Sequence, residues 1–199
     1  MKLAICQFLY YFGHYYLPIF VLLLVILSAN FCHLGVLMLR RKVTDRLLNW
    51  KNNSNKALLV TGARQIGKSY AIRAFGKGNY ASYFEVNLLL DAEARDALID
   101  AKNAVDFINR VALLADAPLV EGDTLVFVDE IQEYPQIVTL MKALVEDGRF
   151  SYVFSGSMLG TEFKGISSFP VGYVEHVVMR PMDFEEFCWA NASARMCLQ

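Results

Sequence analysis

Eight residues, Gly62-Ala63-Arg64-Gln65-Ile66-Gly67-Lys68-Ser69, carry the spacing Gly-x-x-x-x-Gly-Lys-[Ser/Thr] of a loop that wraps phosphate. Glycines at 62 and 67 let the chain turn without a Cβ in the way. Successive backbone N–H groups from Gly62 to Ser69 can then point at one anion, helped by the positive end of a following helix. Lys68 is expected to reach the β and γ phosphates of a nucleotide. The Ser69 hydroxyl is expected to hold Mg²⁺, a hard cation that prefers oxygen ligands.

A second chemical constellation lies at Thr124-Leu125-Val126-Phe127-Val128-Asp129-Glu130. A continuous apolar run ending in two carboxylates suits a strand buried on both faces of a parallel sheet, with the acids emerging at its carboxyl edge. Asp129 there would bind Mg²⁺ through water, and Glu130 would orient and deprotonate an attacking water. A third polar strand end, Ser155-Gly156-Ser157, could touch the γ-phosphate or that water. Ser157 is the first choice for this sensor and Ser155 the second.

The elements that must position these residues follow from local pattern. Ala57–Thr61 reads as the strand before the loop, and the helix after it stops near Gly76-Lys77-Gly78-Asn79. A short helix from Thr44, capped by that threonine, presents Leu47, Leu48 and Trp50 on one face. A second strand is expected at Ser82–Val86. Residues 91–117 have helical period, with Val105, Ile108, Val111 and Leu114 as core positions. Pro135 opens a helix that Asp147-Gly148 closes, and Ser151–Ser155 is the next strand. Gly160–Pro170 reads as loop, Val171–Met179 as a fifth strand, and Arg180-Pro181-Met182-Asp183 as the start of a last helix.

Composition sets outer bounds. The 199 residues hold 19 basic and 20 acidic side chains, so no general nucleic-acid-coating surface is indicated. Cys6, Cys32, Cys188 and Cys197 have no metal-ligand or redox spacing, and His14, His33 and His176 are scattered. Residues 1–39 stand apart as an apolar leader. The stretch 17–39 is long enough to span a bilayer, and Arg40, Arg41 and Lys42 after it would keep the next domain in the cytoplasm. Two readings stay open: a membrane anchor, or an ordinary soluble domain that begins at Met38.

Taken together, Thr61–Ser69, Leu125–Gln132 with its Asp-Glu-Ile-Gln box, Phe154–Ser157, Phe169–Val174 and Arg180–Phe187 with its Pro-Met-Asp-Phe-Glu-Glu-Phe run resemble one family. It is a group of prokaryotic ATPases of the AAA superclass, in which an AAA-like domain precedes a C-terminal domain of unknown function. The resemblance covers residues 38 to about 190 and implies an α/β P-loop NTPase fold, three-layered α/β/α, with a parallel sheet in the order 5-1-4-3-2. An apolar N-terminal helix would precede it. ATP and Mg²⁺ are the implied ligands, with a homo-oligomer and an unidentified protein partner as implied companions.

Two departures from the family pattern are visible. Tyr173 stands where relatives often carry a basic residue, so Arg180 or Arg64 would have to supply any phosphate contact made from there. The chain also ends soon after Phe187, and the tail 191–199 departs from the pattern, as a truncation or frame shift would produce. Four functional readings follow: an Mg-dependent ATPase, a nucleotide-dependent switch with little turnover, an inactive truncated remnant and, ranked lowest, a small-molecule kinase.

Overall fold

Apolar residues fill the central strands and recur at three- or four-residue spacing along the helices. Both patterns are buried together when helices pack on the two faces of one sheet. The computed structural model describes residues 40–157 and 170–196 and has this arrangement. Its elements are α1 (Lys42–Asn53), β1 (Ala57–Gly62), α2 (Lys68–Asn79), β2 (Ser82–Asn87), α3 (Ala92–Ile99), α4 (Ala104–Leu114), β3 (Thr124–Asp129), a 3-10 turn (Ile131–Glu133), α5 (Ile137–Asp147), β4 (Ser151–Ser157), β5 (Val174–Val178) and α6 (Phe184–Met196). One contact unit spans Arg40–Ala194; Met1–Leu39 and Arg195–Gln199 make up the other, nearly all of it outside the described residues.

The five strands are parallel, in the order β2-β3-β4-β1-β5, which is the expected order read from the opposite edge. Strand alternation divides the core in two. Leu58, Val60, Leu125, Phe127 and Val153 pack with Leu47 and Trp50 of α1 and Ile72 and Phe75 of α2. Leu59, Phe84, Val86, Val126, Val128 and Phe154 pack with Phe107 and Ile108 of α4 and Met141 and Leu144 of α5. Every residue of β3 is buried, which is why it reads as an unbroken apolar run rather than an alternating one. Because all strands point one way, Gly62, Asn87, Asp129 and Ser157 end at the same edge of the sheet.

Several local expectations are corrected. α1 starts at Lys42, with Arg41 rather than Thr44 at its cap position, because the Thr44 N–H is already bonded to the Arg41 carbonyl at 3.0 Å. Leu48 is exposed while Val43 joins the buried face. The stretch 91–117 breaks into two helices, capped by Asp91 and Asn103, whose side chains accept from the N–H groups of Ala94 and Asp106. Val105 is exposed, and Ile108 and Val111 are buried. α5 begins two residues after Pro135, and β5 is shorter than the apolar run. The segment expected as loop lies, except for Pro170, outside the described residues, as does the leader with its expected helix and span at 17–39. Among the described residues no helix is long and apolar enough to cross a membrane.

α2 ends at Asn79, at the stop expected near Gly76-Lys77-Gly78-Asn79, and runs through Gly76. That residue is buried inside the helix, where an added Cβ would lie 2.4 Å from Cδ2 of Tyr83 and 2.9 Å from Cδ2 of Leu125. Tyr83 cannot easily yield, since its hydroxyl donates to Glu85 at 2.9 Å. Gly76→Ala should therefore destabilise the fold by about 1–3 kcal/mol through overpacking, against the helix propensity gain of about 1 kcal/mol that alanine brings elsewhere. The midpoint of urea unfolding checks this; an unchanged or higher midpoint would show that the ring moves aside.

Candidate functional site

The loop between β1 and α2 is held in a conformation that its glycines require. Gly62 has φ of 148°, and a Cβ there would meet the Met179 carbonyl oxygen at 2.2 Å. Gly67, at φ of 89°, occupies the left-handed region directly before α2. The amino end of α2 thus faces the loop with its first N–H groups unclaimed by the helix itself. Lys68 is buried and folds back on the loop, with Nζ donating to the carbonyls of Gly62 at 3.0 Å and Ala63 at 2.8 Å. Burial pushes its pKa below the usual 10.5, an effect opposed by the carboxylates of Glu130 and Asp129 and reinforced by Arg64.

Asp129, at the end of β3, is 3% exposed and fully engaged. Its Oδ2 accepts from Ser69 Oγ at 2.6 Å and from Asn87 Nδ2 at 3.3 Å. Its Oδ1 accepts from the Glu130 N–H at 2.9 Å and from the Ser155 hydroxyl. Four segments of the chain therefore meet on one carboxylate. Glu130 adopts left-handed backbone angles, φ 55° and ψ 49°, which cost a side-chain-bearing residue about 1–2 kcal/mol. Its carboxylate accepts from the Gln132 amide, whose own Oε1 is buried without a donor.

Ser155, the second choice as sensor, touches Asp129. Ser157, the first choice, is instead paired with Gly62 in the sheet and accepts from Arg64 Nε at 3.3 Å. The departure at Tyr173 has no bearing on the loop. Its carbonyl accepts from the Ala57 N–H at the amino end of β1, and its hydroxyl donates to Glu146 at 2.8 Å, so it lies at the opposite edge of the sheet. Arg180 contributes a backbone carbonyl, not a charge, to the network around the loop.

Sequence reading missed Asn87 and Arg41. Arg41 Nη1 donates to the Ile66 carbonyl of the loop at 3.1 Å, and Nη2 to the Arg180 carbonyl at 2.9 Å. Its Nε lies 3.2 Å from Glu186 Oε2. Asp183 and Glu186 form a reciprocal cap at the start of α6: the Glu186 N–H donates to Asp183 Oδ1 at 2.9 Å, and the Asp183 N–H donates to Glu186 Oε2 at 3.2 Å. An Asp followed three residues later by a Glu was the available signal for that cap.

Residues 54–188 match the AAA domain family. The chain belongs to that family. No curated protein matches it significantly. Among solved structures, that of C. elegans PCH-2 is similar at 15% identity with a TM-score of 0.41, over 72% of this chain and 40% of that one. A nucleotide-binding, ATPase-type role goes with membership of the AAA domain family.

The cap of α6 gives this AAA domain a pH signature. Burial pushes the Glu186 carboxyl upward, but the N–H groups of Lys42 and Asp183 and the Arg41 guanidinium outweigh it, leaving its pKa below the ordinary 4.5. A carboxyl depressed in the folded state contributes stability that is complete above 4.5 and is lost as the pH falls through the folded value. The first turn of α6 should therefore loosen in acid. Trp189, with Arg40 4.3 Å from its ring centroid, is the natural reporter; fluorescence that titrates only at neutral pH would contradict the assignment.

Proposed function

We propose that this AAA domain binds Mg-ATP at the carboxyl edge of its sheet and hydrolyses it. The observation that carries the proposal is the 2.6 Å contact from Ser69 Oγ to Asp129 Oδ2, beside Lys68. It brings the hydroxyl that ends the phosphate loop onto the carboxylate that ends β3. Backbone N–H groups from Gly62 to Ser69 would hold the phosphates, and Lys68 would leave the Gly62 and Ala63 carbonyls to meet the β and γ oxygens. Glu130 would take the proton from the attacking water, with Gln132 holding the carboxylate in position. Ser155, through Asp129, and Ser157, through Arg64, are the candidates for sensing the γ-phosphate.

The donor set fits Mg²⁺. Ser69 and Asp129 offer one hydroxyl and one carboxylate, and among the described residues no group of three or more His, Cys, Asp or Glu could cage an ion alone. An ion that keeps several waters and takes its other ligands from phosphate suits such a site, whereas an all-protein cage does not. Bound there, it would neutralise charge on the phosphates. The base and ribose would occupy an adjoining cavity of about 380 Å³ lined by Arg41, Val43, Arg46, Met179, Asp183 and Glu186.

The switch reading has one observation in its favour: Lys68 is tied to the carbonyls of its own loop, so its side chain must leave them to meet phosphate. ATP turnover measured against Mg²⁺ concentration, beside Ser69→Ala, tests the hydrolytic reading. Turnover should vanish with a chelator, and the variant should need more Mg²⁺ for half-maximal rate. Activity indifferent to Mg²⁺ would overturn the metal assignment.

A further inference from the structure

Arg41 joins three segments that are far apart in sequence. Its side chain is 12% exposed and that of Glu186 is 6% exposed, so this is an ion pair largely withdrawn from water. One arm of the guanidinium holds the phosphate loop at Ile66 O and the other holds the connection from β5 to α6 at Arg180 O. The Nε side faces Glu186, which also accepts from the Lys42 N–H at 2.7 Å and caps α6 through Asp183. Although Nε is within 3.2 Å of the carboxylate, it is buried without an aligned hydrogen bond. The pair holds through charge and proximity, and a relative shift of loop and helix large enough to part it would leave two charges largely withdrawn from water.

The loop end of this bridge sits where a shift is expected. Ile66 lies between the carbonyls that now hold Lys68 and the first turn of α2, and Arg41 Nη1 is 3.9 Å from the Cβ direction of Gly67. When Lys68 turns to phosphate, the carbonyls of Gly62 and Ala63 lose its donor, and the loop that carries Ile66 O is freed to settle differently around the anion. A guanidinium anchored at both ends transmits that change, because its planar fork cannot keep both sets of partners through a large displacement.

We propose that Arg41 is a positioning residue that couples occupancy of the phosphate loop to the first turn of α6 through Glu186. The coupling rests on the nucleotide-binding reading and goes beyond it. It is reciprocal: whatever holds or loosens the start of α6 alters the affinity of the loop for nucleotide by the same factor. Arg41 touches no phosphate in this scheme, but with Asp183 and Glu186 it lines the cavity assigned to base and ribose, so the response of α6 to Mg-triphosphate, which has no base, separates the coupling from direct contact.

The test is hydrogen exchange of residues 180–190 in the full chain, with and without saturating Mg-ATP, and nucleotide binding measured on the same samples. In the wild type, bound Mg-ATP should change exchange at the Asp183–Phe187 amides. Glu186→Gln, which can still complete a capping box, should lose that response although Mg-ATP is bound. Arg41→Gln and Arg41→Lys should lose it too, the lysine failing because it has charge but no fork. Affinity for Mg-ATP should fall about 5- to 150-fold in these variants, and in the Arg41→Gln, Glu186→Gln double variant by less than the product of the two single effects. A purely structural pair would weaken binding and leave the response of α6 to nucleotide intact. That result, or a wild type that binds Mg-ATP without any change in α6, overturns the coupling alone. A folded wild type that binds no Mg-ATP overturns the nucleotide reading and the coupling with it.

Discussion

Glu130→Gln is expected to leave Mg-ATP bound within a few-fold of the wild-type affinity while lowering turnover about 10²–10⁴-fold, the usual contribution of a positioned base. Glutamine has the shape of glutamate and can still meet the Gln132 amide, so the left-handed turn at position 130 should survive. What it cannot do is accept a proton from water. Lys68 and Ser69 are unaltered, and they belong to the loop rather than to the turn after β3. The variant should therefore accumulate unhydrolysed ATP. Single-turnover phosphate release beside equilibrium binding separates the two effects, and unchanged turnover would remove Glu130 from the base role.

Asp129→Ala should be more damaging, because it strikes both fold and chemistry. The carboxylate now satisfies the hydroxyls of Ser69 and Ser155, the amide of Asn87 and the N–H of Glu130. Alanine leaves all four donors without that acceptor, Ser155 fully buried and the other three half-buried. Each unsatisfied group costs about 1–3 kcal/mol, and rotation of the hydroxyls recovers part of it, so a net loss of about 2–4 kcal/mol is expected. Mg²⁺-dependent turnover should disappear as well. Asp129→Asn separates the two contributions: it retains one oxygen and most of the stability, yet cannot neutralise the metal. Urea unfolding and metal titration of both variants would show it, and an Asp129→Asn variant with full Mg²⁺-dependent activity would contradict the role.

The strand, loop and helix around Gly62–Ser69 were legible because glycine spacing and apolar period are local properties of the chain. The sheet order came from the family resemblance and agrees with the observed pairing. The relative merits of Ser155 and Ser157 were not legible. They lie on the same side of β4 two residues apart, and only the register between strands decides which stands beside Asp129. Val128 pairs with Phe154, which brings Ser155 level with the carboxylate.

Longer-range relations were hidden for a related reason. Nothing near Arg41 reveals that its partners are Ile66, Arg180 and Glu186, since those contacts exist only after the sheet has closed. The helix stop near Gly76–Asn79 was legible, but that Gly76 makes room for Tyr83 and Leu125 was not. Both are consequences of packing between elements.

The most direct measurement is equilibrium binding of Mg-ATP to the chain and to Lys68→Ala, with phosphate release followed in parallel. The account predicts saturable, Mg²⁺-dependent binding with slow release by the wild type, and loss of both in a variant that remains folded. A folded wild type that binds no Mg-ATP, or a Lys68→Ala variant that binds it equally well, would contradict the account at its centre.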